Sequence, residues 1–273
     1  MRFQVLQRRG VSQVEVIIII VVIAVALMLL LAMAIPALQR ARNGPATLTC
    51  STRINQTHKG WILWANDHQG RYPVPMDVSP ETAMRGAQPG NSTANVHSLM
   101  IFNAYNTPQG LLCPMESNRN VVEFKDYNYG DRRDGVFQFG DAWDTRFSAD
   151  LSKRKGCNVS YANLALVGKR VETEWADSLN KEFAVVSDRG HRDGVFDPKS
   201  LTNRLHGART SWTGNVGFND GHVSNMQFAG GDAQPFFHNG DNLFREDDPS
   251  ERSDMWLAIF GATDETTTAP YWD

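Results

Sequence analysis

Twenty consecutive apolar residues run from Val16 to Ile35, VIIIIVVIAVALMLLLAMAI, with no glycine and no charge among them. At about 1.5 Å rise per residue the run spans roughly 30 Å, the hydrocarbon thickness of a bilayer. Ile and Val are modest helix formers in water. In lipid, however, the backbone must satisfy its own hydrogen bonds, and a single span does so as a helix. A buried core helix of this uniformity would need apolar neighbours on every side. The run therefore predicts one membrane-spanning helix. A conventional secretory signal fits less well, although Arg8 and Arg9 form a basic start and Ala32-Met33-Ala34 has the small residues of a cleavage site. The apolar region of such signals runs only about 7–15 residues, and here an acid, Glu15, stands at its border.

The rest of the chain has the composition of a folded protein. Of its 273 residues 41% are hydrophobic and 21% charged, enough apolar material for a substantial core. A net charge of −3 carries no electrostatic footprint for nucleic acid, which is excluded as a partner.

The segment RRG-VSQVE, Arg8 to Glu15, stands directly before the apolar run. It resembles the processing site of type IV prepilins and type II secretion pseudopilins. The resemblance implies that a prepilin peptidase cuts between Gly10 and Val11 and N-methylates Val11. It also implies that Glu15, the fifth mature residue, pairs with the free amine of a neighbouring subunit during assembly. Val11 stands where the family usually has phenylalanine, and Gln13 where it usually has an apolar residue. Pro36 falls about one helical turn beyond the family's usual proline. Further along, IPALQRAR, WILWANDHQGRYP and Leu112-Cys113-Pro114 are similar to a large-headed subgroup with a C-terminal His…Asp-Gly signature. The matching residues are His206, Asp220 and Gly221, with thirteen residues between His206 and Asp220 where the subgroup has nine.

Past the membrane the helix is expected to continue. Cys50, Ile54, Thr57, Trp61 and Trp64 recur at helical spacing and predict one buried face, with Arg53, Asn55, Lys59 and Asn66 pointing elsewhere. Asn43-Gly44-Pro45 predicts a break or kink, because an interior proline removes a hydrogen bond. Gly70 is the expected stop. A short helix is predicted over Val96–Ala104 and another over Val171–Leu179. Strands are predicted at Val121–Tyr129, Gly135–Phe139, Val159–Val167, Phe183–Ser187, Asn215–Asn219 and His222–Gln227, with Asp220-Gly221 as a type I′ turn. The expected fold is α+β and pilin-like, a long N-terminal helix packed on an antiparallel sheet. Its parts are a leader (1–10), a transmembrane segment (11–36), a periplasmic helix continuation (37–67) and an extracytoplasmic head (68–273).

Asp188, His191, Asp193, His206, Asp220 and His222 have the chemistry of metal ligands. No HExxH, zinc-spaced cysteine pair or nucleophile elbow accompanies them, so no catalytic residue is assigned. Asp188 and Asp220 are read as turn residues, and His206 with Asp220 as structural partners. No cofactor is assigned either. A structural calcium, which pseudopilin heads often hold, would find acidic ligands at Asp241–Asp248. Of the three cysteines at 50, 113 and 157, the family landmarks single out Cys50 and Cys113. A disulfide and two buried thiols both fit them.

Two functions follow. The first is a non-enzymatic pseudopilin-like subunit of a type II secretion or type IV pilus-like filament, anchored in the inner membrane with its head in the periplasm. Its partners are prepilin peptidase and other pilin-like subunits. The second is a membrane-anchored periplasmic binding or metal-dependent hydrolytic domain that uses a prepilin-like leader.

Overall fold

The computed structural model describes residues 13–78, 90–129, 132–133, 136–137, 143–144, 146–206, 210–229, 237–261 and 269–272. The chain divides into two compact units, Met1–Pro45 and Ala46–Asp273. Helix α1 is continuous over Gln13–Asp67. Its stretch Gln13–Ala32 has mean hydropathy 3.4 and no buried residue, so it is long and apolar enough to cross a membrane. Asn43-Gly44-Pro45 lie inside the helix, and the predicted break is not a gap between two helices. A single proline costs one hydrogen bond and a local clash, and the turns on either side keep their own bonds.

In the second unit, Cys50, Ile54, Thr57, Trp61 and Trp64 are buried along one face of α1, joined by His58 and Ala65. Two residues expected to point away from the head instead hold it. Arg53 donates to the carbonyl of Leu112, and Asn55 Nδ2 donates to the carbonyl of Gly221 at 2.7 Å. Their polar ends reach past the edge of the apolar stripe to backbone oxygens, and the Leu112 carbonyl also accepts from the Tyr161 hydroxyl at 3.2 Å. Beyond Asp67 the chain turns through Gln69 and Gly70, both at positive φ, and the Gly70 amide returns to the Ala65 carbonyl at 2.9 Å.

Helix α2 spans Thr93–Phe102, with the Ser92 hydroxyl capping the Asn95 amide. It starts three residues earlier than its apolar run predicts, because the cap sets the start. Helix α3, Lys169–Thr173, is shorter than predicted.

The strands are β1 (Arg132–Arg133), β2 (Val136–Phe137), β3 (Tyr161–Leu164), β4 (Ala184–Asp188), β5 (Ser211–Phe218), β6 (Val223–Ala229), β7 (Phe237–His238), β8 (Asp241–Asn242), β9 (Leu257–Phe260) and β10 (Pro270–Tyr271). Two small hairpins pair β1 with β2 and β7 with β8. The main sheet is antiparallel in the order β10-β9-β3-β4-β5-β6. The fold is thus α+β. The predicted strand at Val121–Tyr129 keeps only an isolated bridge from Val121 to Cys157. Side chains serve its backbone instead of a partner strand: Asn158 donates to the Val122 carbonyl at 3.0 Å, and Asp144 accepts from the Asn128 amide at 2.9 Å.

Gly217 in β5 sets how closely α1 approaches the sheet. A Cβ there would fall 2.8 Å from Val186 Cγ1 and 3.0 Å from Ile54 Cγ2. Ile54 is fully buried in that contact, while Trp61, also fully buried, packs against Tyr72, His97 and Trp175. Each contributes on the order of 2 kcal/mol through the apolar surface it removes from water.

Candidate functional site

Four elements of the second unit converge on one buried cluster. Cys50 comes from α1, and Cys113 follows a 3-10 turn at Pro108–Leu111. Asp188 ends β4, and His206 follows a 3-10 turn at Leu201–Arg204. Cys50 and Cys113 form a disulfide, with Cα atoms 5.3 Å apart and a sequence separation of 63. Asp188 Oδ2 accepts from the Asn215 amide at 2.7 Å and from Asn215 Nδ2 at 2.9 Å. It also lies 2.8 Å from His206 Nε2, in a pair whose side chains are each 1% exposed. The imidazole nitrogen sits within ion-pair distance but makes no hydrogen bond, and Asp188 Oδ1 has no hydrogen-bond partner among the described residues. On the far side of the ring, Nδ1 faces Thr47 Oγ1 at 3.2 Å. Gly214 keeps the neighbourhood open, since a Cβ there would meet the Trp212 ring at 2.4 Å and Asp188 Cβ at 3.1 Å.

His206 and Asp220 are therefore not partners, contrary to the sequence expectation. Asp220 Oδ1 pairs with His222 Nδ1 at 2.5 Å on the surface, and also accepts from the His222 amide at 3.0 Å. The His222 ring stacks on Phe218, with centroids 4.5 Å apart. Asp220 is held below the usual carboxylate range by these bonds and by the charge of His222, which outweigh the opposing effect of burial. The connection itself is not type I′. Only Gly221 has positive φ, +89°, whereas type I′ needs two such residues. The Gly221 amide returns to the Phe218 carbonyl at 2.9 Å and the Phe218 amide reaches the His222 carbonyl at 3.0 Å. This is a three-residue loop, a type I turn closed by a glycine bulge. Sequence composition foretells a glycine turn here but not its length, because register is decided by pairing further down the strands.

The remaining polar candidates are engaged elsewhere. His191 Nε2 meets Asn203 Oδ1 at 2.8 Å while its Nδ1 accepts from the Asp197 amide at 2.8 Å, which fixes the tautomer. Asp193 is exposed, at φ 50°. In the acidic stretch, Asp247 accepts from Arg245 Nε and from the Asn242 amide, and Asp248 from Ser250, Ser253 and the Glu251 amide. Those hydrogen bonds pull Asp248 well below the ordinary carboxylate range. Carboxylates so occupied by protein donors would have to give them up to take a calcium ion.

Two buried histidines lie away from the cluster. His58 Nε2 meets the Tyr72 hydroxyl at 2.8 Å, and burial lowers its pKa to about 4. His97 stacks near Trp61, neither of its ring nitrogens has a hydrogen-bond partner among the described residues, and burial lowers its pKa to about 3. Glu15 lies exposed in the first turn of α1. Gly10 and Val11 lie outside the described residues. Thr47 and Asn215 were not singled out from sequence, since neither residue type nor spacing marks a side chain that positions another.

No family model matches the chain, and neither does any curated protein or solved structure.

Proposed function

We propose that this chain is a pseudopilin-like structural subunit, cut by a prepilin peptidase after Gly10 and assembled through its N-terminal helix into a secretion or pilus-like filament. The carrying observation is the fully exposed apolar stretch Gln13–Ala32 with Glu15 in its first turn. An acid at a membrane border is costly unless a partner answers it. The amine created at Val11 would be that partner, supplied by the next subunit. The Cys50–Cys113 disulfide supports a head on the oxidising, extracytoplasmic side of the inner membrane. The pilin-like character rests on the Arg8–Glu15 resemblance together with this helix and its α+β head.

Mass spectrometry of the native protein tests the reading. A mature N-terminus at a methylated Val11, and an uncut precursor in Gly10→Glu, are expected. Glu15→Ala should leave processing and the head intact while abolishing crosslinked ladders between membrane helices. An intact Met1 in the native protein, or a mature N-terminus at Ile35, would overturn the assignment in favour of a plain anchor or an ordinary signal.

A further inference from the structure

The buried cluster holds more polar valence than a disulfide needs. One donor atom from each of Cys50, Cys113, Asp188 and His206 lies within 4.8 Å of all the others, and all four side chains are buried. Asp188 is 0% exposed and its Oδ1 has no hydrogen-bond partner among the described residues, although an orphaned buried carboxylate oxygen is expensive. Its Oδ2 is held by Asn215. Beside it, His206 directs Nε2 inward without a well-aligned hydrogen bond. Thr47 Oγ1 at Nδ1 can accept that ring proton, which would leave Nε2 as a lone-pair donor. A ligand imidazole anchored through its other nitrogen, and a ligand carboxylate anchored through its other oxygen, are the outer contacts that metal sites use to orient their ligands.

Two thiolates, one imidazole and one carboxylate form a four-coordinate donor set suited to zinc. Tetrahedral bonds of about 2.0–2.3 Å place ligand atoms roughly 3.3–3.8 Å apart. The donor atoms already lie within 4.8 Å of one another; the bonded sulfurs must separate, and His206 Nε2 and Asp188, 2.8 Å apart through Oδ2, must open slightly or present Oδ1. The guanidinium of Arg53 on the Leu112 carbonyl, next to Cys113, adds positive charge beside the anionic ligands. Ligands at positions 50, 113, 188 and 206 have no zinc-type sequence spacing, which is why no motif announces them.

We infer that the reduced head binds one zinc ion through Cys50, Cys113, Asp188 and His206, so that disulfide and metal are alternative occupants of one site. The disulfide takes two electrons and two protons from a dithiol, which closes to its own disulfide. The two resulting thiols release their protons to solvent as zinc binds. Oxidation by a disulfide reverses the sequence and expels the metal. The inference stands independently of the filament role.

The test uses the full chain in detergent micelles, reduced with a phosphine and titrated with cobalt and then zinc. About one equivalent of metal per chain is expected, with the thiolate-to-cobalt charge-transfer band of a tetrahedral site, and none in the oxidised chain. Cys157→Ser should leave binding unchanged, whereas Cys113→Ser and His206→Ala should abolish the band. Thr47→Val, which leaves every ligand in place, should weaken binding by about 10-fold or more. Circular dichroism follows folding in parallel. A folded reduced chain without the band would overturn the inference. So would undiminished binding in His206→Ala, or a reduced chain that unfolds and that zinc fails to refold.

Discussion

The second unit contains two histidine–aspartate pairs of similar length in opposite surroundings. His206 and Asp188 lie in the core, each side chain 1% exposed, while His222 and Asp220 sit at the tip of a hairpin, 43% and 31% exposed. The core pair is one corner of a network that includes Asn215, Thr47 and the disulfide. The tip pair is held within its own turn by the His222 amide and the Phe218 ring. Water therefore screens one pair and not the other, and loss of either partner should cost very different amounts. Sequence resemblance joins His206 to Asp220 across these two environments. The structure divides them, so a shared signature need not mark one site.

Asp188→Ala should produce the largest effect, a loss of about 3–5 kcal/mol in urea unfolding of the whole chain in detergent. It leaves the two Asn215 donors buried without their acceptor and His206 without its neighbouring carboxylate. A loss below about 1 kcal/mol would erase the distinction between the pairs.

The second prediction turns to two buried histidines whose acid response is set mainly by burial. His97 and His58 have folded pKa values of about 3 and about 4, both lowered mainly by burial, whereas the unfolded value is about 6.5. The unfolded chain therefore binds more protons below pH 6.5. Their contribution to stability is intact above that pH and is lost as pH falls toward the folded values, at up to about 1.4 kcal/mol per pH unit for each histidine. His97→Phe should flatten the curve between pH 6.5 and 4.5, sparing about 2 kcal/mol of the acid loss. A slope equal to that of the wild type would mean that His97 is hydrated in solution.

At the hairpin, Gly221→Val should cost about 1–2 kcal/mol, since φ is +89° although open space surrounds the missing Cβ. Gly221→Asn, which tolerates positive φ, should recover most of that loss. A Val variant as stable as the wild type would show that the turn rearranges. The smallest effect belongs to Asp220→Asn, within about 1 kcal/mol, and it should shrink further in high salt.

What could be read beforehand follows the range of the forces involved. The apolar stretch and the buried stripe of α1 were legible because they depend on composition and helical period alone. Strands β4, β5 and β6 were visible through β-branched and aromatic residues near a glycine turn. The paired strands β9 and β10 were not, because Leu257–Phe260 is a short apolar run that suits helix or strand equally. The polar cluster was legible only as an inventory of histidines and aspartates. Which of them meet depends on sheet register and on two 3-10 turns, and no local pattern encodes either.

The Cys50–Cys113 bond also has a mechanical meaning. It fastens the lower part of α1 covalently to a loop 63 positions away, and only Ala46–Thr49 of the second unit precede it. A pull on α1 from its N-terminal side would reach this bond before it could draw Ile54, Trp61 or Trp64 out of the core. The load would then pass sideways into Cys113 and the loop that carries it. In the oxidised chain the head is thus a body hung from a rivet, and its packing is spared the tension.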